Sequence, residues 1–169
     1  MAEGVPAEVL LSLGANLGSP VDQLRAAIAR LSEIVDIDAI SPVYRAEPVG
    51  APTQPDYFNL ACRGRTSLPP EALLDATQAI ETAMGRERAF RYAPRPIDID
   101  LVAYGDLVLS TPRLTLPHPR AAERRFVLVP VSEIAPEWRH PALGRSAAEL
   151  LDGGGALGRL ERLGTLDEL

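Results

Sequence analysis

The chain of 169 residues contains no lysine; all 17 of its basic residues are arginine. A P-loop lysine and a Schiff-base lysine are both excluded, so phosphate contacts have to come from guanidinium groups, backbone amides or metal. Cysteine is nearly absent as well. The single Cys62 rules out an internal disulfide and a thiolate metal cluster, and within Asn59-Leu60-Ala61-Cys62 it reads as a small buried hydrophobe. An excess of cations is missing: the net charge is -6, which argues against a general nucleic-acid surface and for a small ligand. No apolar run approaches the ~18 residues of a membrane span. The opening Met1-Ala2-Glu3-Gly4-Val5-Pro6 has neither a basic start nor an apolar signal core. A cytoplasmic location, small-molecule partners and no membrane or nucleic-acid partner are therefore expected. Hydrophobic residues make up 46% and charged residues 24%, an ordinary globular balance. The length suits one domain over 1–169, with a core over about 8–141 and a tail over 142–169.

Against this background stand two aspartates one residue apart in an apolar run, Pro96-Ile97-Asp98-Ile99-Asp100-Leu101-Val102. In a strand the two-residue period puts Asp98 and Asp100 on one face and Ile97, Ile99 and Leu101 on the other. Carboxylates among apolar neighbours need a charged partner. Their α-carbons would lie ~6.5 to 7 Å apart, which suits two cations ~3.5 to 4 Å apart, the arrangement of phosphate chemistry. A strand with one solvated face is the plain alternative. Arg86, Arg88, Arg91 and Arg95 immediately precede the pair, and guanidinium groups beside metal make a sensible triphosphate clamp.

Residues 8–13 read as a first strand, and Ser19-Pro20 suits the cap and first residue of a helix carrying Leu24, Ala27, Ile28 and Leu31 at helical spacing. A second strand is expected over 35–44, a third over 57–66, a helix over 69–84 and the aspartate strand over 97–104. Gly105-Asp106 reads as a tight turn into 107–109, and 120–127 as a short helix. The irregular stretches 45–56 and 85–95 read as mobile loops. Gly153-Gly154-Gly155 should loosen the tail. The order βαββαβ predicts a mixed α/β (α+β) ferredoxin-like core, an antiparallel sheet with its helices on one face, plus added C-terminal elements.

His118 is held between prolines in Leu116-Pro117-His118-Pro119-Arg120, which restricts where its ring points; it either donates to a phosphate oxygen or serves as a turn spacer. His140, beside Trp138, packs or caps locally. Gln78 and Glu81 are three apart on a helix and face a nucleotide together or form a solvated pair. Tyr57 and Asn59 share a strand face, where a ring and an amide suit a flat heterocycle; core packing and turn capping are the other reading.

Together, Leu13-Gly14-Ala15-Asn16-Leu17-Gly18, Tyr44-Arg45 and the segments 54–59, 95–101 and 116–120 resemble the 6-hydroxymethyl-7,8-dihydropterin pyrophosphokinases of folate biosynthesis. The resemblance implies transfer of pyrophosphate from ATP to the pterin hydroxymethyl group, with release of AMP. It implies that Asp98 and Asp100 bind two Mg2+ ions, and that Gln78, Glu81, Arg86, Arg88, Tyr92, Arg95, His118 and Arg124 line the ATP side. Tyr57, Asn59 and Phe126 would line the pterin side, and the catalytic set would be Arg86, Arg95, Asp98 and Asp100. A monomer is the expected state. Two other classes fit parts of the pattern: a nonenzymatic nucleotide sensor, and a nucleotidyltransferase that attacks the α-phosphorus and releases pyrophosphate.

Overall fold

The computed structural model describes residues 6–16, 18–46, 56–85, 97–153 and 159–169. An inner strand, β1 (Ala7–Ala15), is buried almost throughout: Val9, Leu11, Leu13 and Ala15 on one face pack under helices in the main core, and Leu10 on the other face packs in a second cluster. Strand β4 (Tyr57–Thr66) pairs with one edge of β1 and strand β5 (Asp98–Tyr104) with the other, both antiparallel. Helix α1 (Pro20–Leu31) has Pro20 in its first turn, Asp22 early and Arg30 late, all suited to the helix dipole, and buries Leu24, Ala27 and Leu31. Helix α2 (Pro70–Ala83) buries Leu73, Thr77, Ile80 and Glu81. Both helices pack with the odd-numbered residues of β1, Val9, Leu11 and Leu13, and with Leu60, Cys62, Ile99 and Leu101. The βαββαβ core expected from sequence is present, with its two helices on one face. Burial pushes the Cys62 thiol up to about 12, so it packs as a neutral apolar group.

The expected strand over 35–44 is instead two, β2 (Asp36–Ile40) and β3 (Val43–Ala46), both paired with β4. They part at Ser41-Pro42 because Pro42 has no amide hydrogen for a ladder. Ser41 bridges the gap: its N–H donates to the Ala61 carbonyl and its Oγ accepts from the Ala61 N–H, each at 2.9 Å. The turn at Gly105, with φ +54, is where the sequence places it. The strand after it is β6 (Leu109–Ser110), however, and it pairs with β7 (Thr115–Leu116) rather than returning along β5.

The second face of the sheet is covered only in part. The helix expected over 120–127 begins later: a 3-10 turn at Ala121–Glu123 leads into α3 (Arg125–Ile134). Val127, Leu128 and Val131 lie on one face of that helix and pack on Leu10, Ala61 and Val102. Helix α4 (Ala147–Asp152) begins with a reciprocal capping box between Ser146 and Glu149. Strand β8 (Leu160–Gly164) joins the main sheet against β3, giving the order β5-β1-β4-β3-β8 with β2 also on β4. These are the added C-terminal elements. Residues 47–55 and 86–95 of the two expected loops, and Gly154 and Gly155 of the glycine run, lie outside the described residues.

Candidate active site

Because α3 covers Leu10, Ala61 and Val102, the rest of that sheet face is left to polar groups. Register places them in rows. Asp98 of β5 stands opposite Gly14 of β1, which stands opposite Asn59 of β4, which stands opposite Tyr44 of β3. In the next row Asp100 faces Ser12. Strands lie ~4.8 Å apart, so Asp98 and Asn59 are separated by about 10 Å across β1, with only a glycine between them. Tyr57 sits two residues before Asn59 and shares its face. Asn59 is buried, and among the described residues its Nδ2 has no hydrogen-bond partner; nor has Oδ1 of the buried Asn16, just after β1. A buried amide without a partner is costly in a finished core and apt in a binding site.

The outer edge of β5 is met by other elements. Glu81, buried on α2, accepts a hydrogen bond at 2.8 Å from the N–H of Ile99, the residue between the two aspartates. Three residues further along β5, the Val102 carbonyl accepts from the N–H of His118 at 2.9 Å, just after a cis Leu116–Pro117 bond. His118 Nδ1 accepts from the Arg120 N–H at 3.2 Å, leaving Nε2 as the donor of a neutral ring. Burial lowers the imidazole below its ordinary value; Asp100 opposes this, and Arg124 and Arg120 add to it. His118 is thus in the electrostatic field of Asp100 and Arg124. The Arg124 guanidinium also lies over the Phe126 ring, 5.5 Å from its centroid, at the start of α3.

Of the site residues expected from sequence, Asp98, Asp100, Glu81 and His118 converge on β5, and Tyr57 and Asn59 share the face across β1. Gln78 is exposed on α2 while Glu81 is buried, so their shared helix face divides between solvent and strand. Arg86, Arg88, Tyr92 and Arg95 lie outside the described residues. Gly14, Ser12 and Asn16 were given no role from sequence, although Gly14 and Asn16 belong to the first quoted motif; their position depends on strand register. His140, expected to act locally, tilts against Trp138 with ring centroids 6.0 Å apart, and its Nδ1 accepts from the N–H groups of Ala142 and Leu143.

Among the described residues no group of three or more His, Cys, Asp or Glu side chains is arranged to hold a metal ion by itself. Two half-buried carboxylates on one strand face fit Mg2+, a hard cation that keeps several waters and takes the remainder of its shell from phosphate oxygens.

The family model of 7,8-dihydro-6-hydroxymethylpterin-pyrophosphokinase matches residues 10–136. The chain belongs to this family. A 2-amino-4-hydroxy-6-hydroxymethyldihydropteridine pyrophosphokinase of Synechocystis is 42% identical over 145 residues, covering 85% of this chain and 74% of that protein. The Pseudomonas aeruginosa protein of the same name is 40% identical, with 85% and 89% covered. Among solved structures, a Plasmodium falciparum HPPK-DHPS (A437G, with SDX-DHP) superposes with a TM-score of 0.74 at 15% identity, over 89% of this chain. The present chain spans 46% of that longer one, and the likeness speaks to the fold. As a pyrophosphokinase the chain carries out the reaction expected from sequence, pyrophosphoryl transfer from ATP to hydroxymethyldihydropterin in folate biosynthesis. Its substrates are small molecules, and no helix among the described residues is long and apolar enough to cross a membrane.

Proposed function

We propose that the pyrophosphokinase reaction runs across β1, with the nucleotide over the β5 side and the pterin over the β4 side. The observation that carries this reading is the row Asp98, Gly14, Asn59: a carboxylate and a buried amide, unpartnered among the described residues, about 10 Å apart with only a glycine between them. Asp98 and Asp100 hold two Mg2+ ions, which supply neutralisation of the phosphate oxygens. His118 and Arg124 face the ATP, joined by Gln78, Glu81 and, on sequence grounds, Arg86, Arg88, Tyr92 and Arg95. Tyr57, Asn59 and Phe126 hold the heterocycle so that its hydroxymethyl oxygen reaches the β-phosphorus. A bond forms there as the hydroxyl gives up its proton, to Asp100 or to solvent; the bond from the β-phosphorus to the oxygen it shares with the α-phosphorus breaks, and AMP departs with that oxygen while Arg86 and Arg95 stabilise its charge. Catalysis on this reading is positioning and electrostatics, with no covalent intermediate.

The protein acts as a cytoplasmic monomer, one domain over 1–169, without nucleic-acid or membrane partners. The test is mass spectrometry of products from ATP, Mg2+ and 6-hydroxymethyl-7,8-dihydropterin, beside a variant carrying Asp98→Ala and Asp100→Ala. AMP and pterin diphosphate from the native protein are expected, with turnover in the variant down by about a thousandfold. Inorganic pyrophosphate as the product would instead identify attack at the α-phosphorus. A variant as active as the native protein would remove the aspartates from the site.

A further inference from the structure

Gly14 lies in a strand, and its φ is not positive, so its backbone conformation does not call for glycine. Space does. A Cβ built on Gly14 would lie 2.8 Å from Asn59 Oδ1, well inside contact, and 3.9 Å from both Asn59 Cγ and Tyr57 Cδ1. The Asn59 amide therefore leans over β1 and occupies the volume that any other residue at position 14 would fill. Its Oδ1 rests against the glycine while its Nδ2, buried and without a partner among the described residues, is the group left to bond a ligand. The obstructing atom is the far end of one side chain, not backbone. A methyl group at position 14 would therefore displace the amide and leave the strand where it is.

We propose that Gly14 is a specificity-determining, positioning residue: the absence of a side chain there seats the Asn59 amide against the sheet and aims its NH2 at the edge of the heterocycle. This rests on the reading of Asn59 as a pterin contact. It adds a requirement that the Asn59 assignment does not contain, namely that position 14 acts on the pterin only through residue 59. Gly64, on the neighbouring strand, shows the contrast, since a Cβ there would meet the Asp36 carbonyl oxygen at 2.5 Å and Val35 Cγ1 at 2.6 Å. Crowding at Gly64 presses on backbone; crowding at Gly14 presses on the site.

The test is a double-mutant cycle of Gly14→Ala and Asn59→Ala, reading equilibrium binding of 6-hydroxymethyl-7,8-dihydropterin by its fluorescence with Mg2+ and a non-hydrolysable ATP analogue present, together with ATP-analogue affinity and melting temperature. Gly14→Ala is expected to weaken pterin binding about tenfold or more, with nucleotide affinity within about twofold. In the Asn59→Ala background the same change should cost less than about twofold, because the amide it displaces is gone. Unchanged pterin affinity in Gly14→Ala, or an equal loss in both backgrounds, overturns the proposal. Asn59→Ala binding pterin like the native protein would overturn the Asn59 assignment itself, a result recognisable without the Gly14 variant. Should Gly14→Ala melt early, Asn59→Ala added to it should restore the melting temperature, and failure to do so also overturns the proposal.

Discussion

At the residue scale, Glu81 is the side chain whose role changes most on passing from sequence to structure. From sequence it is a helix acid three residues after Gln78; in the fold it is buried and bonded to the backbone between Asp98 and Asp100. Glu81→Ala leaves the Ile99 N–H without that acceptor and should cost about 1 to 3 kcal/mol of unfolding free energy. Glu81→Gln, which keeps an acceptor, should recover most of it; denaturant unfolding of the two variants checks this. The aspartate pair was legible because a period of two is a local property of the chain. The contact between Gly14 and Asn59 was not, because it exists only once β1 and β4 are set in register across the 41 residues that separate Ala15 from Tyr57, and no local pattern encodes that register.

At the scale of elements, local periodicity carried β1, β4, β5, α1 and α2, whose apolar positions recur at the spacing that their burial requires. It failed where a local signal is ambiguous or a partner is remote. Phe126-Val127-Leu128-Val129-Pro130-Val131 is a continuous apolar run with a proline inside, yet it lies in α3. The burial of Val127, Leu128 and Val131 against the sheet outweighs the amide lost at Pro130. Strand β8 gave no signal because it is charged and half-exposed and finds β3 across most of the chain length. The register shift between Ile37 and Ala39 shows β2 adapting to β4 beside Gly64. Gly64→Ala should destabilise the fold by about 1 to 3 kcal/mol, seen as a lower melting temperature, while residual activity per folded molecule stays near native.

At the scale of the whole molecule, stability should fall on mild acidification. Burial holds His140 below its ordinary range, and its Nδ1 accepts two backbone bonds that protonation would break. The native state therefore resists a proton that the unfolded chain accepts below about pH 6.5. The stabilisation is fully present above that pH and is lost as pH falls towards the depressed native value; His118 works in the same direction. His140→Asn should flatten the dependence between about pH 7 and pH 5, measured by urea unfolding at each pH. A second property of the whole molecule follows from how β5 ends the sheet. A terminal strand displays unpaired amides and carbonyls that another chain can copy, and here the Ile99 amide is taken by Glu81 and the Val102 carbonyl by the His118 backbone. The groups that flank the aspartates thereby deny an incoming strand two of its footholds, so protection of this edge and the proposed nucleotide side depend on the same few atoms.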